Sequence, residues 1–139
     1  MNRLITFIIA AVAIFLVEEQ ARRLFTNYRD PYVYHSARAI EPRVASGTLL
    51  KIELSFTHIR YCQEILSRFM IFGADGSIVS RDTVPGGATL LGPHTIIMPI
   101  MTPIGAKAGA YTLRMFANAE CSDGIHVTPM PDIAFEIVE

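Results

Sequence analysis

Tryptophan is absent from the 139-residue sequence, cysteine occurs only twice, and lysine and arginine never form a run. With a formal net charge of −1, the chain lacks the basic patch that is typical of a nucleic-acid-binding protein. Internal repeats and low-complexity tracts are also missing, which argues against a disordered or repeat protein. No G-x-S-x-G, H-E-x-x-H or P-loop motif occurs, so we expect a protein that is not an enzyme.

Hydrophobic residues make up 51% of the sequence, and the excess is concentrated near the N-terminus. Residues 4–17, LITFIIAAVAIFLV, carry no charge, and Thr6 is their one polar residue. As a helix they would cover roughly 21 Å of a hydrocarbon core about 30 Å thick, a length that also fits a signal peptide. Two features favour an uncleaved signal-anchor over a cleaved signal. The one small-x-small site lies inside the apolar run, and the pairs Glu18/Arg22 and Glu19/Arg23 favour continuation of the helix.

We therefore predict one transmembrane helix followed by a single exported domain. Two cysteines suit an oxidising compartment, which places the C-terminal part in the periplasm and the anchor in the bacterial inner membrane. The predicted organisation is an anchor over residues 1–25, a linker over 26–32 and a domain over 33–139.

In the domain the sequence pattern changes from one typical of a helix to short strand-like segments separated by turn residues. Residues 49–59 alternate apolar and polar side chains, which predicts a half-buried strand, and Asp75-Gly76 is a hairpin signal. The spacing predicts a mainly β fold, a seven-stranded antiparallel immunoglobulin-like β-sandwich. Its predicted strands cover residues 33–40, 49–59, 64–72, 77–84, 95–100, 108–116 and 132–138.

Gly109 and Tyr111 open the penultimate predicted strand. A Gly-x-Tyr at this place is typical of the tyrosine corner of immunoglobulin-like domains, in which the hydroxyl fixes the turn entering the strand. The alternative is that Tyr111 is an ordinary core aromatic residue.

The stretch CSDGIHVTPM, residues 121–130, places Cys121, His126 and Met130 at the spacing C-x4-H-x3-M. Thiolate, imidazole and a weak axial methionine are ligands of blue copper sites, which need a second imidazole as well. His58 is the best-placed upstream histidine, ahead of His94 and His35. A cupredoxin-like copper protein for electron transfer is therefore one hypothesis.

A disulfide between Cys62 and Cys121 is the competing hypothesis and the one we favour. In a seven-stranded Greek-key sandwich the loops after the second and sixth strands emerge at the same pole, so a bridge needs no distortion. Cys121 also follows Tyr111 by ten positions, which predicts that it lies in a loop, unlike the cysteine of cupredoxins. On this hypothesis the protein needs no cofactor.

The chain from residue 30 onward resembles small single-span membrane proteins of bacteria and their phages whose outer domain is an uncharacterised immunoglobulin-like sandwich. The segments that carry the resemblance are PRVASGTLLKIELSFTHIRYC, AGAYTLRMF and CSDGIHVTPMPDIAFEI. The resemblance implies that Cys62, Cys121 and Pro129 are recurring positions and that the protein has a structural or binding role at the cell envelope.

These inferences predict an accessory or assembly protein that contacts the membrane through residues 4–17 and a protein partner through its sandwich. A phage-encoded envelope or virion-associated factor is an alternative. We expect the chain to enter the sandwich at the pole of Cys62 and Cys121, with residues 42–47 and 103–109 at the far pole. The arginines at positions 60, 68, 81 and 114 are expected on solvated strand faces.

Overall fold

The computed structural model describes residues 30–85, 87 and 90–139, so the predicted anchor and most of the linker lie outside the described residues. The described part of the chain is strands and connecting turns, without a helix. No membrane-spanning helix is therefore found within those ranges.

Nine β-strands are found in the described residues, two more than the seven predicted. Their bounds are β1 Tyr32–Ala39, β2 Arg43–Ala45, β3 Leu49–His58, β4 Gln63–Gly73, β5 Ile78–Pro85, β6 Gly92–Met101, β7 Gly109–Cys121, β8 Gly124–Pro129 and β9 Ile133–Val138. One sheet has the order β1-β3-β6, and the other has the order β2-β9-β7-β4-β5 with β8 also paired to β7.

The two sheets enclose one hydrophobic core, as expected for a β-sandwich. In β3 the alternation seen in the sequence is the alternation of burial, because successive side chains of a strand point to opposite faces. The core side chains of the three-stranded sheet include Leu50, Ile52, Leu54, Phe56 and Ile100, and those of the larger sheet include Phe69, Ile71, Leu113, Met115, Phe135 and Ile137.

One of the two missed strands is β2, which lies in a segment predicted as a turn. It pairs in parallel with β9, so that Val44 lies beside Ile137. The backbone N–H of Glu136 donates to the carbonyl of Pro42 at 2.7 Å, and Arg43 pairs with the Glu136 carboxylate at 2.9 Å. The chain thus leaves the small sheet after β1 and joins the edge of the large sheet.

The other missed strand is β8, and it corrects the prediction that Cys121 lies in a loop. Cys121 is the last residue of β7 and pairs with Gly124, so CSDGIHVTPM is a β-hairpin. The φ of Gly124 is 125°, a backbone region that disfavours residues with a Cβ. Beyond Pro131 the chain continues as β9 along the same edge of β7.

The predicted hairpin at Asp75-Gly76 connects β4 to β5. The φ of Gly76 is 78°, and the backbone N–H of Gly73 donates to the carbonyl of Ser77 at 2.9 Å. The Asp75 carboxylate accepts hydrogen bonds from the Ser77 hydroxyl at 2.6 Å and from the Ser77 backbone N–H at 3.0 Å. These bonds, first of all the one from the hydroxyl, lower the pKa of Asp75.

Tyr111 makes the hydrogen bond of a tyrosine corner. Its hydroxyl donates to the carbonyl oxygen of Lys107 at 2.7 Å, across the turn that enters β7. Gly109 between them has a φ of 153°. The ring also stacks on Phe135 with centroids 5.7 Å apart, so Tyr111 is at once a corner residue and a packing residue.

Candidate functional site at the disulfide pole

The disulfide pole is the end of the sandwich that is formed by Asp30, Arg60, Cys62, Cys121, Asp123 and His126. A disulfide joins Cys62, just before β4, to Cys121 at the end of β7, with their Cα atoms 4.6 Å apart. Both cysteines are half-buried and pack against the core cluster. The bridge closes the end of the sandwich between neighbouring strands of the large sheet.

Arg60 and Asp123 form a forked ion pair beside the disulfide. The guanidinium donates three hydrogen bonds to the carboxylate over distances of 3.0 to 3.2 Å. The Arg60 side chain is 23% exposed and that of Asp123 is 11% exposed. The hydrogen bonds from Arg60 hold the pKa of Asp123 below its ordinary value, and a hydrogen bond with His126 acts in the same direction.

His126 links this ion pair to the beginning of the described chain. Its Nε2 lies 2.7 Å from Nη2 of Arg60, and its Nδ1 lies 3.5 Å from Oδ1 of Asp30. The same Nε2 lies 3.1 Å from Oδ1 of Asp123, so this ring nitrogen contacts both members of the ion pair. The backbone supports the same connection, because Ile59 N–H donates to the Pro31 carbonyl at 2.9 Å.

Cys121, Asp123 and His126 offer ligand atoms that lie within 4.8 Å of one another. The Cys121 sulfur, however, is bonded to Cys62, and the Arg60 guanidinium already pairs with Asp123 and contacts His126. A metal ion at this point would need the disulfide reduced and the arginine displaced. The chemistry that the arrangement supports as it stands is structural, since it fastens the hairpin and the incoming chain together.

The other histidines and the methionine considered as copper ligands lie in different surroundings. His58 is buried, stacks on Tyr32 with centroids 4.8 Å apart, and its Nδ1 lies 3.1 Å from the Leu90 carbonyl. Met130 is buried in the core cluster. His35 contacts the Thr57 hydroxyl, and His94 contacts the Leu90 carbonyl.

Sequence reasoning did not find Asp30, Arg60 and Asp123 as parts of this pole. Arg60 was expected on a solvated strand face, but its side chain lies mostly buried against Asp123 and His126 of the hairpin. The signal that could have found Asp123 is local, since it lies in the turn between Cys121 and His126. Arg60 carries no comparable signal, because 63 positions separate it from Asp123.

The comparisons with known proteins bear on the fold. No family model matches the chain, and no curated protein matches it. The alkylpurine DNA glycosylase AlkC of Pseudomonas fluorescens, solved bound to DNA containing an abasic site analog, is 11% identical with a TM-score of 0.53 over 84% of this chain. The match spans 33% of that chain, so this protein corresponds to about a third of it.

A second solved structure is the CARDB domain of a Pyrococcus furiosus protein in complex with di-metal ions. It is 13% identical, with a TM-score of 0.33 over 73% of this chain and 84% of that one. This likeness is too distant to support an argument, and the likeness to the glycosylase concerns the sandwich architecture alone.

Proposed function

We propose that the protein is a membrane-anchored, extracytoplasmic interaction protein, an accessory or assembly component of an envelope complex that acts by contact and without catalysis. Residues 4–17 would hold it in the bacterial inner membrane, in a cellular or a phage-encoded setting. The observation that carries the proposal is the disulfide at the pole where the described chain begins. Disulfides persist in oxidising compartments, so a stabilising bridge supports export of the domain.

The strand order supports an immunoglobulin-like domain within this proposal. The sheet β1-β3-β6 corresponds to the A, B and E strands, and β5-β4-β7-β9 corresponds to C′, C, F and G. The Tyr111 hydrogen bond lies at the entry to the F-like strand, where a tyrosine corner belongs. Such sandwiches serve many functions, so the binding role rests on this chain's own surfaces.

The connection at the disulfide pole also supports an orientation. Asp30 lies beside His126, so a chain that leaves the membrane enters the sandwich at this pole. At the other end Ser46 donates to the Pro103 carbonyl at 2.9 Å, which ties the two far-pole loops together. In the proposed arrangement the disulfide pole lies toward the bilayer and the far pole away from it.

Site-specific photo-crosslinking in living cells tests the proposal. A benzophenone amino acid is introduced singly at Ser122 in the disulfide-pole turn, at Ile104 in the far-pole loop and at Thr83 on β5, which are all exposed. An interaction protein should give a discrete, light-dependent adduct from at least one of these three positions. A control position elsewhere on the surface of the domain should give none. Monomer alone at all three positions would contradict the proposed function.

Copper binding is the second candidate, favoured by the approach of the Cys121, Asp123 and His126 ligand atoms. It requires a free Cys121 thiolate, with His58 and Met130 completing the set proposed from the sequence. Titration of the reduced chain with copper would then produce the intense visible thiolate band of a blue site. If the reduced chain gives no such band, this candidate is wrong.

A further inference from the structure

The outer face of the six-stranded sheet carries a groove of about 640 Å³, which we call the outer groove. It runs across β4, β5, β7 and β8. Because Phe69 and Met115 point into the core, their strand neighbours point to the outer face. The side chains that line the groove on this face include Arg68, Met70, Arg81, Thr83, Phe116 and Val127.

The outer groove combines an apolar floor with two arginines. Phe116 lies directly opposite Arg68 in the pairing of β4 with β7, and Met70 lies directly opposite Arg81 in the pairing of β4 with β5. Val127 contributes an apolar side chain that is 54% exposed. Aromatic, methionine and arginine side chains are those enriched at protein interfaces.

Arg68 and Arg81 differ from the other arginines of the described chain. Those at positions 38, 43, 60 and 114 each form an ion pair with a carboxylate in the described structure. Neither Arg68 nor Arg81 has an acidic partner among the described side chains. The two described arginines without an ion pair in that part of the chain are therefore both at the outer groove.

The strand register also places these two charges near one another. Arg68 lies opposite Thr83, and Arg81 precedes Thr83 by two positions on the same face. Such diagonal neighbours are roughly 7–8 Å apart across a sheet. Two long side chains of the same charge that start this close can both reach one anion, and an anion bound between them would reduce their mutual repulsion. Asp82, the one carboxylate among the described residues that line the groove, belongs to the opposite face of β5 and accepts a hydrogen bond from the Thr83 backbone N–H at 2.7 Å.

A backbone edge borders the same groove. β5 is the last strand in the order of the large sheet, so its second edge is unpaired within the described chain. Ile78 and Val79 at its start are 53% and 43% exposed. Such an edge offers backbone hydrogen bonds to an extended polypeptide, whereas a small anion or a DNA phosphate would use the arginines alone.

We propose that the outer groove binds an extended acidic segment of a partner protein, whose carboxylates pair with Arg68 and Arg81 and whose apolar side chains pack on Met70, Phe116 and Val127. This inference rests on the proposed function and names the chemistry of its partner. The chain's net charge of −1 and the apolar floor favour a polypeptide over a nucleic acid.

Binding of a defined peptide to the full chain in detergent tests the inference. The probe is a fluorescein-labelled, acetylated peptide that alternates glutamate with leucine, and fluorescence polarisation measures its binding. The native protein should bind it saturably. A peptide with glutamine in place of glutamate, and an Arg68→Gln/Arg81→Gln variant with the original peptide, should each bind on the order of tenfold more weakly.

The matched control is an Arg38→Gln/Arg43→Gln variant, which removes the same charge from the opposite sheet and from β2. It should bind the glutamate peptide as the native protein does, and thermal unfolding should show that both variants are folded. Three results would overturn the inference: no saturable binding, equal binding by the groove variant, or an equal loss in the control. Arginine-dependent binding of a duplex oligonucleotide or of phosphatidylglycerol vesicles in preference to the peptide would overturn it as well.

The crosslinking experiment distinguishes a failure of this inference from a failure of the proposed function. Adducts from Ser122 or Ile104, together with a groove that does not bind the peptide, would leave the interaction role standing and remove the outer groove as its site. Absence of adducts from every position would remove the interaction role itself.

Discussion

At the scale of single residues, the ion pair of Arg60 and Asp123 makes stability depend on pH. The pKa of Asp123 is lowered in the folded chain, first by the Arg60 hydrogen bonds. The unfolded chain therefore takes up this proton at a higher pH than the folded chain does. The stability from the pair is complete above the ordinary aspartate pKa of about 4 and is lost as pH falls through the lowered pKa of the folded chain.

We predict that Asp123→Asn destabilises the protein at neutral pH and flattens the loss of stability below about pH 4. Thermal unfolding at a series of pH values measures both effects. Asp82→Asn is the matched control, since Asp82 is exposed and forms no ion pair in the described structure. An acid profile of Asp123→Asn that runs parallel to the native one would show that this carboxylate is not a major source of the pH dependence.

The hydroxyl of Tyr111 supplies a second prediction at this scale. Tyr111→Phe keeps the ring that stacks on Phe135 and removes the hydrogen bond to Lys107. We expect the free energy of unfolding to fall by about 1 kcal/mol, the usual net value of one hydrogen bond. Urea unfolding followed by circular dichroism measures it, with Tyr61→Phe as control, because Tyr61 is 74% exposed. Equal losses in the two variants would contradict a specific role for the corner.

At the scale of elements, the Cys62–Cys121 bridge closes a loop between residues 59 positions apart. The chain-entropy estimate for a loop of this length is on the order of 4 kcal/mol, and measured values are often lower. We predict that a Cys62→Ala/Cys121→Ala variant loses about 2–4 kcal/mol of unfolding free energy in urea. A variant as stable as the oxidised native chain would mean that Arg60, Asp123 and His126 hold the pole without the bridge.

The two prolines of β6 indicate how one sheet edge avoids unwanted pairing. β6 is the last strand of the small sheet, and Pro93 and Pro99 lie opposite Thr57 and Lys51 of β3. Proline has no N–H, so within a strand it fits where that N–H would point to the unpaired edge. The prolines thus remove donors from the edge that another chain would need.

We predict that a Pro93→Thr/Pro99→Thr variant associates with itself more than the native protein does. Size-exclusion chromatography with light scattering, in the same detergent, measures the change. Thr95→Val is the matched control, because it makes β6 more apolar and leaves both prolines in place. If the double variant stays in the native oligomeric state, the prolines do not protect this edge.

A comparison of β3, which was predicted, with β8, which was not, shows which strands a sequence pattern can reveal. β3 alternates apolar residues inside and polar residues outside, so its half-buried character is visible in the sequence. β8 reverses this pattern, with Ile125 and Val127 exposed and Thr128 buried. Its strand state depends on pairing with β7, as that of β2 depends on pairing with β9, and neither long-range partner leaves a local signal.

Only part of the candidate site could be predicted from the sequence. The two cysteines and the chain entry could be assigned to one pole because strand topology determines which loops share an end of a sandwich. The ion-pair cluster could not, because the partners of Arg60 come from a distant hairpin and Asp30 joins them only through His126. That Arg68 and Arg81 lack an acidic partner among the described side chains is likewise visible only in the folded structure.

At the scale of the whole molecule, the proposed arrangement assigns a direction to each part. In this arrangement the disulfide pole would lie toward the membrane and the far pole away from it, with the outer groove on a side face of the sandwich. A partner would thus reach the outer groove laterally, within the same membrane complex. A soluble partner would have access to the far pole as well.

The proposed role depends first on export of the sandwich and on its retention at the membrane. The most direct measurement uses an Ala74→Cys variant, in the exposed turn between β4 and β5, treated with a membrane-impermeant maleimide in bacterial spheroplasts. We predict labelling of the added cysteine in intact spheroplasts, recovery of the product in carbonate-washed membranes, and labelling of Cys62 and Cys121 only after reduction. Labelling of the added cysteine only after the spheroplasts are lysed would contradict export. Labelling of Cys62 and Cys121 without prior reduction would contradict the disulfide.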